Sequence, residues 1–478
     1  MNLLQLPWLE WAILLALVGA LGVSRIRNPF RASAWGLAFT GTIFGFTVLA
    51  WLGHYFGFKP SERWSLQDYY FGGRFFNLDE LSAPLVPMVA LLHFLTALAT
   101  ARTKMRRFSF SWSLASEAIR LATFSCHDPW LLIGLLSLCT VPPYIELRNR
   151  GKPTRVYVLH MGLFVALLVL GWSLTESVGS QGAQPAWAVV PLLAAILVRC
   201  GAIPVHCWLT DWFEHASFGN ALLFVTPLPG VYAAARLVLP IAPDWVLHSL
   251  GMVSLLTAVY AACMATIQQD LRRFFAYLFL SFSSLVLVGL ELVTSISLAG
   301  ALSLWFSVTL GLGGFGLTLR ALEARFGRLS LADFHGLYDN SPALAVCFLV
   351  TGLASVGFPG TLGFVATELL VDGAVEANLT LGIAVALAAA LNGIAVLRAY
   401  FRLFAGKRHA ATISLRIGLR ERIAVLTLTA LLLGGGLFPQ LGISSRHQAA
   451  QEILKDRQEN LRRAERDRSP GGLAARAD

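Results

Sequence analysis

At 478 residues and 51.9 kDa the chain is long enough for two or three soluble domains, but 56% hydrophobic and 13% charged residues leave too little polar surface to coat a water-soluble particle. A mean hydropathy of +0.65 points instead to a polytopic membrane protein built from spans of about 20 apolar residues. The net charge of +10 would suit nucleic acid, yet basic residues in cytoplasmic loops account for it, so the expected surroundings are a lipid bilayer and no nucleic acid.

Taken in chain order, apolar runs fall at 8–24, 33–53, 80–101, 110–127, 129–145, 156–173, 185–203, 219–240, 246–267, 274–291, 296–319, 342–371, 378–400 and 422–438. This predicts an all-α protein of about 14 transmembrane helices over residues 1–441. Glu117 and Arg120 interrupt the fourth run, and Pro359-Gly360 should break the overlong twelfth. If the loop after the first run is cytoplasmic, the cytoplasmic connections hold 23 Lys and Arg and the opposite loops only Lys59, Arg63 and Arg74. That asymmetry sets both termini outside, in a bacterial inner membrane. The polar tail, 442–478, is different material: residues 446–468 fit a charged helix, solvated or bound to a partner, and disorder is expected after Pro470.

Ionisable groups at membrane depth are costly and draw attention first. Arg199 follows the run Val189 to Val198 and precedes Pro204, which should disrupt the helix and free carbonyls near a polar cavity. Its permanent charge needs an acid or a hydrated path, in an ion route or as a plain fastening of two helices. Glu117 and Arg120, three apart, share a helix face and fit an internal ion pair or a proton relay. Glu368, beyond the Pro359-Gly360 break, faces a cavity or the outer interface. His93 and His160 stand alone on apolar faces, as hydrogen-bonded core histidines do.

The loop His206-Cys207-Trp208-Leu209-Thr210-Asp211-Trp212-Phe213-Glu214-His215 mixes His, Cys and acids, but its spacing fits no zinc pattern, so no metal is expected. His206, Asp211 and Glu214 read as cytoplasmic-loop contacts. The six cysteines form no CxxC pair. No Walker loop, GxGxxG turn, nucleophile elbow or HExxH motif occurs, so neither a cofactor nor a catalytic site is expected.

Five segments in order carry a resemblance. Phe76-Asn77-Leu78-Asp79-Glu80-Leu81-Ser82-Ala83-Pro84-Leu85 resembles the "DGLS-PL" start of the third helix in antiporter-like subunits of respiratory complex I. His206 to Ala216 resembles their "HTWLPDAHxEAP" loop, and Gln268 to Tyr277 their "QxDLKRLLAYS" segment. Gly357-Phe358-Pro359-Gly360-Thr361 to Glu368 resembles their "GLPGTxxFxxE" helix break, and Arg420 to Gln440 their last helix. The nearest likeness is to the M subunit of NADH–quinone oxidoreductase, related to Mrp antiporter subunits.

The resemblance implies a 14-helix fold with broken core helices and a path for protons built on a Glu–Lys pair with further Lys or His. Carried over by position, the Glu falls on Ser137, its Lys on Arg199, the next Lys on Leu228, and two His on Phe282 and near Thr309. Arg keeps its proton, Leu and Phe carry none, and a serine hydroxyl passes a proton without setting a charge. The ion-path candidates are therefore Arg199, Glu117, Arg120, Ser137 and Glu368, with Glu117 as a replacement acid for Arg199.

Three readings stay open. One is a membrane subunit of a multisubunit proton- or cation-translocating complex, unable to pump on its own. Another is the membrane partner of a zinc-containing, carbonic-anhydrase-like subunit in inorganic-carbon uptake. The last is a scaffold with Trp208, Trp212 and the 446–468 helix as contact surfaces. All three require other membrane subunits; the first two add a soluble redox or zinc-containing partner.

Overall fold

The computed structural model describes residues 3–58, 67, 75–101, 104–106, 108–178, 185–406 and 417–468. Its helices run α1 (Trp8–Ser24), α2 (Pro29–Tyr55), α3 (Leu85–Leu98), α4 (Phe110–Ser125), α5 (Pro129–Leu138), α6 (Val141–Asn149) and α7 (Arg155–Val178). There follow α8 (Ala186–Cys200), α9 (Cys207–His215), α10 (Phe218–Val225), α11 (Pro229–Ala233), α12 (Asp244–Ile267) and α13 (Leu271–Glu291). The last are α14 (Ser295–Phe326), α15 (Pro342–Ser355), α16 (Leu362–Ala377), α17 (Leu379–Phe404), α18 (Leu419–Leu437) and α19 (Pro439–Arg468). Among the described residues the only extended pairing is two isolated bridges, Phe76 with Cys126 and Asp270 with Ser330.

Every one of the fourteen apolar runs is occupied by helix, in an all-helical polytopic membrane fold. Three runs are cut in two: α5 with α6, α10 with α11, and α15 with α16. Prolines lie at or just after the cuts, and among the described residues eight helices, or nine with the bent pair at the C-terminus, are long and apolar enough to cross a membrane by length and composition. Polar residues at the run ends start the helices. Asn28, Asp128 and Asp270 each accept hydrogen bonds from first-turn amides, with proline at the first helical position after Asn28 and Asp128.

The centre of the bundle is α13 and α14, whose most apolar windows are 100% and 89% buried, against 28% for α2 at the rim. Small residues bring the backbones together there: a side chain on Gly300 of α14 would strike the Leu369–Leu370 backbone of α16. With 32 residues, α14 extends roughly 48 Å, more than a bilayer core is thick.

The tail helix α19 begins at Pro439, earlier than its charge pattern suggests, and its axis over Gly442–Asn460 turns 78° from α18. It lies against its own bundle. Arg446 donates to the Glu80 carbonyl at 2.9 Å with its guanidinium 4.7 Å from the Phe306 ring. Arg457 donates to the Ala242 carbonyl at 2.8 Å and pairs with Asp244 at 2.6 Å. These anchors sit at the end of the bundle opposite the basic loops, where residues 3–10 also pack: Gly53 lies against the Leu4 carbonyl. Lys59, Arg63, Arg74 and the segment after Pro470 fall outside the described residues.

Candidate ion path

Two helix breaks face the core. The first is Thr226-Pro227-Leu228, between α10 and α11. A helix that stops inside a bundle leaves its last carbonyls without partners. Here the carbonyls of Leu222 and of residues 224–227 find donors. Thr226 Oγ1 returns to Leu222 O at 2.7 Å, and Leu228 N to Val225 O at 2.8 Å. Arg199 Nη2 donates to Phe224 O at 3.2 Å, Arg120 Nη1 to Thr226 O at 2.9 Å, and Trp305 Nε1 of α14 to Pro227 O at 2.6 Å.

This arrangement explains how two guanidinium groups, each 4% exposed, lie in the interior without a carboxylate between them. The C-terminal end of a helix carries partial negative charge, and cations are stabilised there. Arg199 also stands 4.4 Å from the centre of the Phe224 ring and 5.6 Å from that of Trp208, and ring faces attract cations. The chain pays locally for the turn: Leu228 adopts φ 60, a left-handed conformation costing a branched residue about 1 kcal/mol or more.

The second break, residues 356–361 between α15 and α16, is made by Gly357 (φ 78) and Gly360 (φ 86) around Pro359. Thr361 closes it, returning its hydroxyl to Phe358 O at 2.7 Å. The Ser307 hydroxyl of α14 faces Gly363 there and has no partner among the described residues. One helix, α14, thus touches both breaks, through Trp305 and Ser307.

The remaining sequence candidates are not gathered at this point. Glu117 is fully buried on α4, and neither carboxylate oxygen has a partner among the described residues. It does not pair with Arg120, which is drawn to the break instead; helical spacing allowed the pair, and the better acceptor lay across the bundle. Ser137 returns its hydroxyl to Ile133 O at 2.7 Å. Glu368 is exposed on α16. The spacing of the "GLPGTxxFxxE" pattern counts to Thr367, so Glu368 comes one residue later and is turned about 100° round the helix, onto the outer surface. His93 and His160 each place Nδ1 on the carbonyl four residues earlier, Val89 at 3.0 Å and Val156 at 2.8 Å.

At the basic end, α9 carries the loop residues. Trp208 and Trp212 are each 1% exposed, so they are core and offer no contact surface, against the expectation above. Trp208 Nε1 donates to Val198 O at 2.8 Å, tying α9 to the end of α8. His206 sits between the Tyr260 and Tyr277 rings, and burial pushes its imidazole below the ordinary value.

Two acids of α9 shift in opposite directions. Burial raises Asp211 despite His215 at 3.1 Å. Burial also pushes Glu214 upward, but hydrogen bonds and charge from Arg273 at 2.6 Å outweigh it and leave the carboxyl low. Glu214 therefore adds stability above its free value near 4.3 that is lost as pH falls through its depressed folded value. Asp211 does the reverse, costing stability as pH rises through its raised folded value. Melting curves of purified Glu214→Gln should lie below native and those of Asp211→Asn at or above it at pH 7, with both gaps closing below about pH 4. Unchanged gaps at low pH would contradict the assignment.

Sequence reasoning missed one ion group. Asp79 accepts from the Ser82 amide at 2.8 Å and pairs with Arg236 at 2.6 Å and His127 at 3.3 Å. Burial raises its carboxyl, yet these partners together hold it well below the usual carboxylate range. The signal was available: Arg236 is one of only five arginines inside the apolar runs, with Arg120, Arg199, Arg398 and Arg422.

The family described as "NADH:quinone oxidoreductase/Mrp antiporter, TM" matches residues 154–392. "NAD(P)H-quinone oxidoreductase chain 4 3" of Trichormus variabilis is 26% identical, with 92% of this chain and 90% of the relative covered. "NADH-quinone oxidoreductase subunit 13" of Thermus thermophilus is also 26% identical, over 80% of this chain and 85% of the relative. Among solved structures, a chain of respiratory complex I from Thermus thermophilus superposes with a TM-score of 0.83 at 24% identity, covering 94% of this chain and 99% of that one. A chain of the Mrp complex from Dietzia sp. does so at 0.79 and 19%, covering 95% and 100%. These likenesses do not favour the inorganic-carbon reading.

Proposed function

The chain belongs to the NADH:quinone oxidoreductase/Mrp antiporter transmembrane family as an antiporter-like membrane subunit, and we propose that it serves a proton- or cation-translocating complex without switching charge by itself. The observation that carries this is the pair of guanidinium groups on the first break, Arg199 on Phe224 O and Arg120 on Thr226 O. A proton path needs a group that alternates between charged and neutral states, and an arginine stays charged. Arg199 and Arg120 act as fixed cations that hold the break in shape. Glu117 is the titratable group left in the α4 core for a proton to visit, while Ser137 and Glu368 take no part.

In this reading both termini lie outside, the basic loops face the cytoplasm of a bacterial cell, and residues 442–478 form a polar tail beyond the transmembrane region 1–441. Neighbouring membrane subunits cover the exposed apolar flanks. A soluble redox-bearing or zinc-containing subunit would meet the cytoplasmic end, where His206, Asp211 and Glu214 cluster.

Liposomes holding the purified chain, a trapped pH dye and a potassium diffusion potential test the proposal. Native protein and Arg199→Ala should both leak protons at the rate of protein-free liposomes. Any flux seen in the assembled complex should fall with Glu117→Gln. A native flux severalfold above background that Arg199→Ala abolishes would overturn it.

A further inference from the structure

A cavity of about 250 Å3 opens between α4, α6, α9 and α10. Ser109, Asn149 and Arg150 line its mouth at the basic end of the bundle, and Arg120 with the Phe224 ring lies at its inner end. That volume has room for several waters at roughly 30 Å3 each, or for a small ion with part of its hydration.

The polar groups around it are unbalanced. The one carboxylate, Glu146, is already engaged: it accepts from the Ser217 amide at 2.8 Å, from Asn220 Nδ2 at 2.7 Å and from Arg150 at 3.5 Å. The donors are not. Arg120 is 4% exposed and gives one N–H to Thr226 O. Trp212 and Ser113, at 1% and 5% exposed, border the same cavity, and neither the indole Nε1 nor the hydroxyl has a partner among the described residues. An indole N–H can only donate, and a guanidinium has five donors and no acceptor. Two cations against one satisfied anion leave the walls net positive, with Arg199 adding its charge from the other side of the break.

Such walls repel a hydrated proton or a metal cation and attract an anion. We propose that this cavity is a binding site for a small planar oxyanion of the carboxylate or bicarbonate type, held by Arg120, the Trp212 indole N–H and the Ser113 hydroxyl. The guanidinium fork matches two coplanar oxygens, and a buried donor facing an anion forms a stronger bond than one facing water. The site goes beyond the translocation reading and stands whether or not the chain conducts protons.

The test uses the purified full chain in detergent, titrated with 13C-labelled sodium formate and, in a second arm, labelled bicarbonate, at constant ionic strength set with sodium chloride. Expected is saturable line broadening in the millimolar range for both, weakened roughly three- to tenfold in Trp212→Phe and in Ser113→Ala. Ser113→Ala removes a buried hydroxyl that has no partner among the described residues, so it should fold and melt like native, and its loss of affinity then reports the site. Broadening that never saturates would overturn the proposal. So would displacement of formate by chloride at equal concentration, or two native-like variants with unchanged affinity.

Discussion

Arg272→Ala should lower the stability of the purified protein by about 3–5 kcal/mol, because it breaks a buried pair and leaves the partner charge behind. Arg272 stands in the first turn of α13, 7% exposed. Its Nε and Nη2 grip Glu323 of α14 side by side at 2.7 and 2.6 Å. Its Nη1 reaches the Phe213 and Ala216 carbonyls at 2.9 and 2.8 Å, where α9 ends. One side chain therefore joins α9, α13 and α14 at the basic end. Removal strands a half-buried carboxylate and two carbonyls, each costing more unpaired than the bond itself contributes. Arg272→Lys keeps the charge but loses the two-pronged geometry, and should recover only part of the loss. Thermal unfolding in detergent is the measurement; a midpoint for Arg272→Ala within about 1 °C of native would contradict the account.

Gly436→Ala should be the more damaging of two otherwise identical changes in α18. An added Cβ at Gly436 would sit well inside van der Waals contact with the Gly360 carbonyl and the Thr361 backbone, at the second break. Those are backbone atoms and cannot rotate away, so α18 must move, at about 1–3 kcal/mol or more. Two residues earlier, Gly434 has nothing within 4 Å of the same added atom. Gly434→Ala should therefore be neutral, or stabilising by up to about 1 kcal/mol through helix propensity. Equal effects at the two positions, read as unfolding midpoints of the single variants, would show that α18 does not close on the break.

Much of this was legible in the linear chain. Hydropathy placed every apolar run on helix, and Pro359-Gly360 marked a real break, because apolar length and proline act through neighbours close in sequence. Pro204 likewise announced the end of α8, which stops at Cys200 with Gly201 in the left-handed region. The break at Thr226–Leu228 lay in a run where Pro227 and Pro229 were in plain view.

Direction around a helix axis was harder. Glu117 and Arg120 share a face by spacing, yet the arginine turned to a carbonyl 106 residues away and the acid was left alone. Glu368 was misplaced by a single residue, which on a helix is more than a quarter turn. Trp208 and Trp212 read as surface aromatics and proved to be core, since an amphipathic turn of nine residues buries whichever face the bundle offers it.

Composition, hydropathy and charge asymmetry alone thus determined a multi-pass helical membrane protein with interrupted spans and its basic loops at one end. These follow from the free energy of moving each residue type out of water, a property each residue brings with it. What only the tertiary structure decided is which buried groups meet: two arginines on one set of helix-end carbonyls, a carboxylate apart from both, and a donor-rich cavity beside them. Those outcomes depend on orientation and distance between segments far apart in sequence, where a turn of one residue or a shift of a few ångströms exchanges one partner for another.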